Sequence, residues 1–263
     1  MLAAALTLRS GNPEEALAQL QEQVRKNPAN SQYRTFLFQL LAVLGQWERA
    51  LNQLKVVGDM DASTLAMVAT YRDALHCEAY RGEVLAGRRT PLVLGEPEPW
   101  MALAFEALRL GGEGQWEQAE AVRNKALDGA PTTSGKINGE AFDWIADADT
   151  RIGPMLEAVV SGKYYWIPFS RIRSLKVEQP TDLRDLVWTA AEVTFANEGQ
   201  TIALIPTRYA GSELSTESRV KMARVTEWEE KPGGAFLGRG QRLFATNAGE
   251  YPILDTRTIE LNT

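Results

Sequence analysis

Only a few side chains in this sequence have the types and spacing that chemistry requires. The chain holds one histidine, His76, beside its one cysteine, Cys77. Neighbours on a helix point about 100° apart, so this pair cannot jointly ligate a metal or act as nucleophile and base without other partners. No serine near His76 stands in a nucleophile elbow, which leaves a Ser-His-Asp triad without its parts. His76 reads as a surface or groove histidine.

The densest carboxylate group is Glu140, Asp143, Asp147 and Asp149. On a helix, positions 143 and 147 share a face, the geometry of an acid–base pair or a divalent-cation site. The same residues serve equally as favourable first-turn charges, with Arg151 close enough to neutralise one. A structural or interface role is the expectation, and an ion-dependent protein built on Asp143, Asp147 and Asp149 is the alternative. Residues 133–139, TSGKING, look briefly like a phosphate loop. They lack the glycine spacing before Gly135-Lys136, and Ile137 replaces the hydroxyl that would hold magnesium. The glycine-rich 233–242, GGAFLGRGQR, has no helix after it and reads as a loop rather than a dinucleotide fingerprint. Tyr164, Tyr165, Trp166 and Trp188 could stack bases. With acidic neighbours and no basic groove, they read instead as core plus a protein contact. Trp144, Asp147, Asp149, Tyr164, Tyr165 and Trp166 then form a candidate second interface.

The elements that must carry these residues change character along the chain. Residues 13–26 place Ala16, Leu17, Leu20 and Val24 at helical spacing behind an Asn12 cap and a first-turn Pro13. Apolar helices follow at 31–44, closed by Gly45, and at 47–57, closed by Gly58. Gly11-Asn12-Pro13-Glu14-Glu15-Ala16 aligns with Gly45-Gln46-Trp47-Glu48-Arg49-Ala50, 34 residues on, which is the tetratricopeptide period. Gly114-Gln115-Trp116-Glu117-Gln118-Ala119 is a third copy about two periods later. The unit between, near 63–95, keeps helices without the signature, and the proline-rich 88–100 connects it to a helix at 99–110. Glycine permits the tight turn, and alanine five residues on lets the paired helices approach. Such hairpins stack into a concave face that holds a partner segment.

Helices are expected over 144–150 and 154–160, so 136–163 reads as a helical connection. From Tyr164 onward, short runs rich in aromatic and β-branched residues dominate: 164–169, 173–179, 186–196, 200–209, 221–230, 241–254 and 257–261. Asn197-Glu198-Gly199 offers a hairpin turn. The predicted fold is α+β: a tetratricopeptide-like α-hairpin array over 1–135, then a small SH3-like β-barrel over 164–263 that closes its own edges.

Composition supports this and narrows the function. Of 263 residues, 44% are hydrophobic and 24% charged, which rules out disorder as the main state. A net charge of −6, with 14 basic and 17 acidic residues on each side of residue 140, offers no pull toward nucleic acid or an anionic membrane. The single cysteine suits a reducing compartment. No stretch reads as a signal peptide or a membrane span, so a cytoplasmic location is expected.

Several strings together closely resemble the ImpE/TagJ accessory proteins of bacterial type VI secretion. They are FLFQLLAVLGQWERALNQL (36–54), TPLVLGEPEPW (90–100), INGEAFDWIADADTRIGPMLEA (137–158), YYWIPF (164–169), DLRDLVW (182–188), ALIPTRYAGSE (203–213), TEWEE (226–230) and GQRLFATNAGEYPILDTRTIEL (240–261). The resemblance covers almost the whole chain. It implies a non-enzymatic protein with no cofactor that binds the small subunit of the contractile sheath through a helical segment near that subunit's N-terminus, and modulates sheath assembly or disassembly.

A helix-in-groove contact requires a concave helical scaffold with a few apolar anchors. The repeat register turns Gln32, Thr35, Phe36, Gln39 and Val43 toward the concavity, and Met101, Phe105 and Leu108 likewise in the third hairpin. Alternatives are a scaffold that contacts another secretion component through the barrel, and pairing of two copies through the helical half.

Overall fold

Glycines in the left-handed region punctuate the first half: Gly11 at φ +94°, Gly45 at +67° and Gly114 at +79°. A side chain there would be strained, so glycine is what lets the chain reverse between paired helices. In the computed structural model, which describes residues 2–263, this half runs α1 (Leu2–Arg9), α2 (Pro13–Lys26), α3 (Ser31–Val43), α4 (Trp47–Met60), α5 (Leu65–Leu85), the short strand β1 (Leu92–Val93), α6 (Pro99–Gly112) and α7 (Trp116–Gly129). The three glycines join α1 to α2, α3 to α4 and α6 to α7. Ala16, Ala50 and Ala119, five residues after each, are buried where the helices of each pair meet. Asn12 caps α2 through the Glu15 amide at 3.1 Å, and Asn30 caps α3 through Tyr33 at 3.0 Å.

Two helix ends differ from expectation. Gly58 does not stop α4, which runs on to Met60. The unsigned unit is one long helix, α5, because nothing between Leu65 and Arg81 breaks it and Gly82 is tolerated inside it.

The second half is β2 (Gly135–Ile137), β3 (Glu140–Phe142), β4 (Ile145–Asp147), β5 (Met155–Val160), β6 (Lys163–Pro168), β7 (Ile172–Val177), β8 (Trp188–Phe195), β9 (Gln200–Pro206), the one-turn α8 (Ser218–Lys221), β10 (Thr226–Lys231), β11 (Ala235–Gly240), β12 (Leu243–Thr246), β13 (Glu250–Pro252) and β14 (Thr258–Leu261). Nine strands form one sheet in the order β1-β6-β5-β9-β8-β7-β14-β2-β3, beside a β10-β11 hairpin and a β13-β12-β4 sheet. All pairs are antiparallel except β1 with β6.

Three expectations are corrected here. First, 136–163 is not a helical connection: it carries β2 to β5, and the expected boundary at 164 falls inside the β5–β6 hairpin. All six residues of β5 are buried. Met155 and Val159 pack toward the helices, while Leu156, Ala158 and Val160 pack into a second core. A strand buried on both faces reads as a continuous apolar run, which periodicity cannot distinguish from a helix.

Second, no sheet closes into an SH3-like barrel among the described residues. Closure is one way to protect a sheet; here helices cover one face, and the small sheet carrying Ile145 and Phe244 packs into the core on the other. Third, 233–242 is not a plain loop, because β11 pairs with β10 across Gly233 and Gly234. The false phosphate loop is the β2–β3 hairpin, turning at Asn138 and Gly139, both at positive φ.

One apolar core is shared by both halves. Leu40, Leu54 and Leu75 of the helices join Met155, Trp166 and Trp188 of the sheet in a single cluster. Tyr71 and Trp47 stack on Trp188 at 5.8 and 6.2 Å between ring centres, and Phe105 meets Trp166 edge-on at 6.0 Å.

Candidate functional site

The sheet fills much of the hollow that stacked hairpins would otherwise offer. Val43, Met101 and Leu108 are buried, and Phe105 packs against Trp166. Val43 contributes its carbonyl, which accepts from Arg208 at 2.6 Å, with the Ala42 carbonyl accepting at 3.0 Å. Arg208 thereby satisfies the orphan Val43 carbonyl at the C-terminus of α3 and adds to the Ala42 carbonyl, which the Gly45 amide already meets. Four residues of the expected contact behave differently. Gln32, Thr35, Phe36 and Gln39 recur at helical spacing on one face of α3 and line an open groove of about 480 Å³.

Ala5 of α1, Asp61 and Thr64 between α4 and α5, and Asp182 ahead of β8 complete that groove. Phe36 is partly exposed on its wall. Gln39 is 6% exposed and lines the same groove. Thr35 donates back to the Ser31 carbonyl at 3.0 Å. The only charged lining residues are two acids. The Ser63 hydroxyl and amide donate to the Asp61 carboxylate at 2.6 and 2.9 Å and hold its pKa below the usual value. Asp182 pairs with Arg184 at 2.6 Å. An aromatic ring, the Gln32 and Gln39 amides and an acidic rim can recognise a peptide.

Sequence reasoning missed the polar centre between the two halves. Glu157, the one charge in β5, is fully buried and faces the helices. Arg81 of α5 donates to both its oxygens at 2.9 and 3.2 Å, and Arg242 and the Tyr164 hydroxyl also donate to it. Burial would raise the Glu157 pKa, but Arg81 and Arg242 outweigh it and hold the carboxyl ionised. Arg81 also reaches Glu78 and the Arg208 carbonyl, while Glu78 accepts from the Trp188 indole at 2.8 Å. Arg242 closes the far end on Asp147. There burial outweighs Arg242 and pushes the Asp147 pKa up to about 7. The signal in the sequence was Glu157 alone inside the apolar run Met155–Val160, a charge that burial tolerates only with partners.

The candidate second interface is broken up. Trp144 is 41% exposed and Tyr165 partly so, but Tyr164 and Trp166 are buried beneath the helices and Asp147 and Asp149 are buried in ion pairs. Asp149 is held by Arg151 and by the Gly238 amide at 2.9 Å, and exposed Asp143 pairs instead with Asn247. The three aspartates do not share a helix face, because the segment is not helical. Among the described residues, no group of three or more His, Cys, Asp or Glu is placed to hold a metal ion. His76 is exposed, whereas the Cys77 thiol is buried and pushed up to about 11. No helix among the described residues is long and apolar enough to cross a membrane.

The family described as ImpE protein matches residues 139–260. The type VI secretion system accessory component TagJ of Pseudomonas aeruginosa is 53% identical over 253 residues, 96% of this chain and 89% of that protein. The crystal structure of protein VPA1032 from Vibrio parahaemolyticus shares the fold, with a TM-score of 0.88 at 22% identity over 99% of this chain and 98% of that one.

Proposed function

The chain belongs to the ImpE family, which includes the TagJ accessory component of type VI secretion, and on that premise we propose that it binds the N-terminal helical segment of the small contractile-sheath subunit in the groove along α3. The observation that carries this reading is the groove itself: Gln32, Thr35, Phe36 and Gln39 on one accessible helix face. An amphipathic helix laid across it would seat an apolar side chain against Phe36 and offer a hydrogen bond to Gln39. Occupying that segment would bias the sheath between assembled and disassembled states. The role is non-enzymatic and cytoplasmic, where the sheath subunits are made.

A pull-down with the small sheath subunit, intact and without its N-terminal segment, tests this. Recovery of the intact subunit alone supports it. Equal recovery of both defeats the binding mode.

A further inference from the structure

A second cavity, of about 280 Å³, lies between the α6–α7 hairpin, the turn into β5 and the β10–β11 hairpin, and shares no lining residue with the α3 groove. Small side chains open it: Ala104 and Ala107 of α6, and Ala119 and Ala126 of α7, where larger residues would close the helix pair. Trp100 and Trp116 wall it, and Ile152 and Pro154 come from the turn into β5. Trp116 is held in place by Gly111, where even a Cβ would come within 2.9 Å of its ring.

Four cations, Arg88, Arg123, Arg151 and Lys231, line this space against one carboxylate, Glu229, in a chain whose net charge is −6. Three are committed elsewhere. Arg88 forks Glu83 at 2.8 Å through two nitrogens, and Arg151 is bound by Asp149. Lys231 sits over the Trp116 ring and pairs with Glu229. Arg123 differs: its side chain is 13% exposed, its one anionic partner is Glu120 a turn earlier, and it donates no other hydrogen bond to a described residue. Burial lowers its pKa, with Asp149 opposing, and the N–H groups that Glu120 does not take are left to donate to a second anion.

We propose that this cavity binds a small amphipathic carboxylate, its apolar body between Trp100 and Trp116 and its carboxylate paired with Arg123. A planar guanidinium matches a carboxylate at two points, and exclusion of water strengthens that pairing. At ~30 Å³ per water the space equals about nine waters, room for a small ligand. That chemistry has two sources, a free aliphatic acid or a chain end with an apolar last residue. The proposal stands independently of sheath binding.

Calorimetric titration of the full chain tests it with octanoate for a free acid and N-acetyl-leucine for a chain end, beside octanamide and N-acetyl-leucinamide. At least one acid is expected to bind at least tenfold more tightly than its amide, and whichever acid binds identifies the source. Arg123→Gln should lose that tenfold, and Arg123→Lys should recover part of it. Ala107→Leu should abolish binding by filling the space, with its melting temperature checking the fold. Equal affinity for acid and amide, an unchanged Arg123→Gln variant, or no heat from either acid at millimolar concentration overturns the proposal; the acid–amide comparison needs no variant to fold.

Discussion

Arg81 in α5 and Glu157 in β5, 76 residues apart in sequence, meet through two hydrogen bonds of 2.9 and 3.2 Å with both side chains buried. This pair lies where the helical and sheet halves touch. Its Coulombic attraction is offset by the cost of stripping water from both ions, so the pair adds little stability over an apolar substitute. Removing one member is another matter.

Glu157→Gln leaves Arg81 and Arg242 facing a neutral amide in the interior. The expected loss is about 3–5 kcal/mol of unfolding free energy. Urea unfolding measures it, and a loss below about 1 kcal/mol would show that water reaches the site.

Asp147 sets a pH dependence of the opposite sign to an ordinary paired carboxylate. Its folded pKa of about 7 lies above the ordinary aspartate value of 3.8, so the folded state binds the proton more tightly. The resulting stability is complete below about pH 4 and is lost as pH rises through 7. Glu157, held low, works the other way, its contribution being lost as pH falls below about 4.5. Between pH 5 and 8 the native chain should therefore lose more stability than Asp147→Asn. Urea midpoints at the two pH values compare them, and parallel changes in both proteins would contradict the assignment.

Phe36→Asp places a charge on the wall of the α3 groove. Affinity for the small sheath subunit should fall at least tenfold, with the melting temperature nearly unchanged because Phe36 is accessible. Phe105→Asp behaves differently, since Phe105 packs against buried Trp166. It should cost about 3–5 kcal/mol of stability. Calorimetric binding and melting curves separate the two; a stable Phe105→Asp protein with weakened binding would return that residue to the contact.

Two glycines near one helix end should respond unequally to alanine. At Gly114 the space is open and only the positive φ is strained, so the cost is about 1 kcal/mol. At Gly112 a Cβ would lie 2.2 Å from the Ala86 carbonyl oxygen, a backbone atom that cannot swing aside. That substitution should cost about 1–3 kcal/mol as α5 and α6 are forced apart. Equal melting temperatures for the two variants would contradict this packing.

The hairpin array was legible because its information is local. Gly11, Gly45 and Gly114 mark turns, and Ala16, Ala50 and Ala119 mark close approaches, all within short windows. The turn at Asn197-Glu198-Gly199 was legible for the same reason: it joins β8 to β9 with Glu198 at φ +66°. What escaped depends on distant partners. Leu156 and Val159 face opposite cores that only the assembled sheet creates, so β5 looked like a helix. Whether a sheet closes depends on what covers its faces, and helices from the first half of the chain do that here. Of the expected contact, helical spacing groups the α3 residues that the structure leaves on one accessible face, but spacing could not reveal that Trp166 would occupy the space in front of Phe105 or that Met101 would be buried in the shared core.

The apolar floor running unbroken from Leu40 to Trp188 leaves no hinge between the first and second halves. A pull applied at α3 is borne by the far strands at once, as in a bracket whose arm and plate are cast in one piece, so anything held in the α3 groove would be anchored against the whole molecule rather than against a swinging arm.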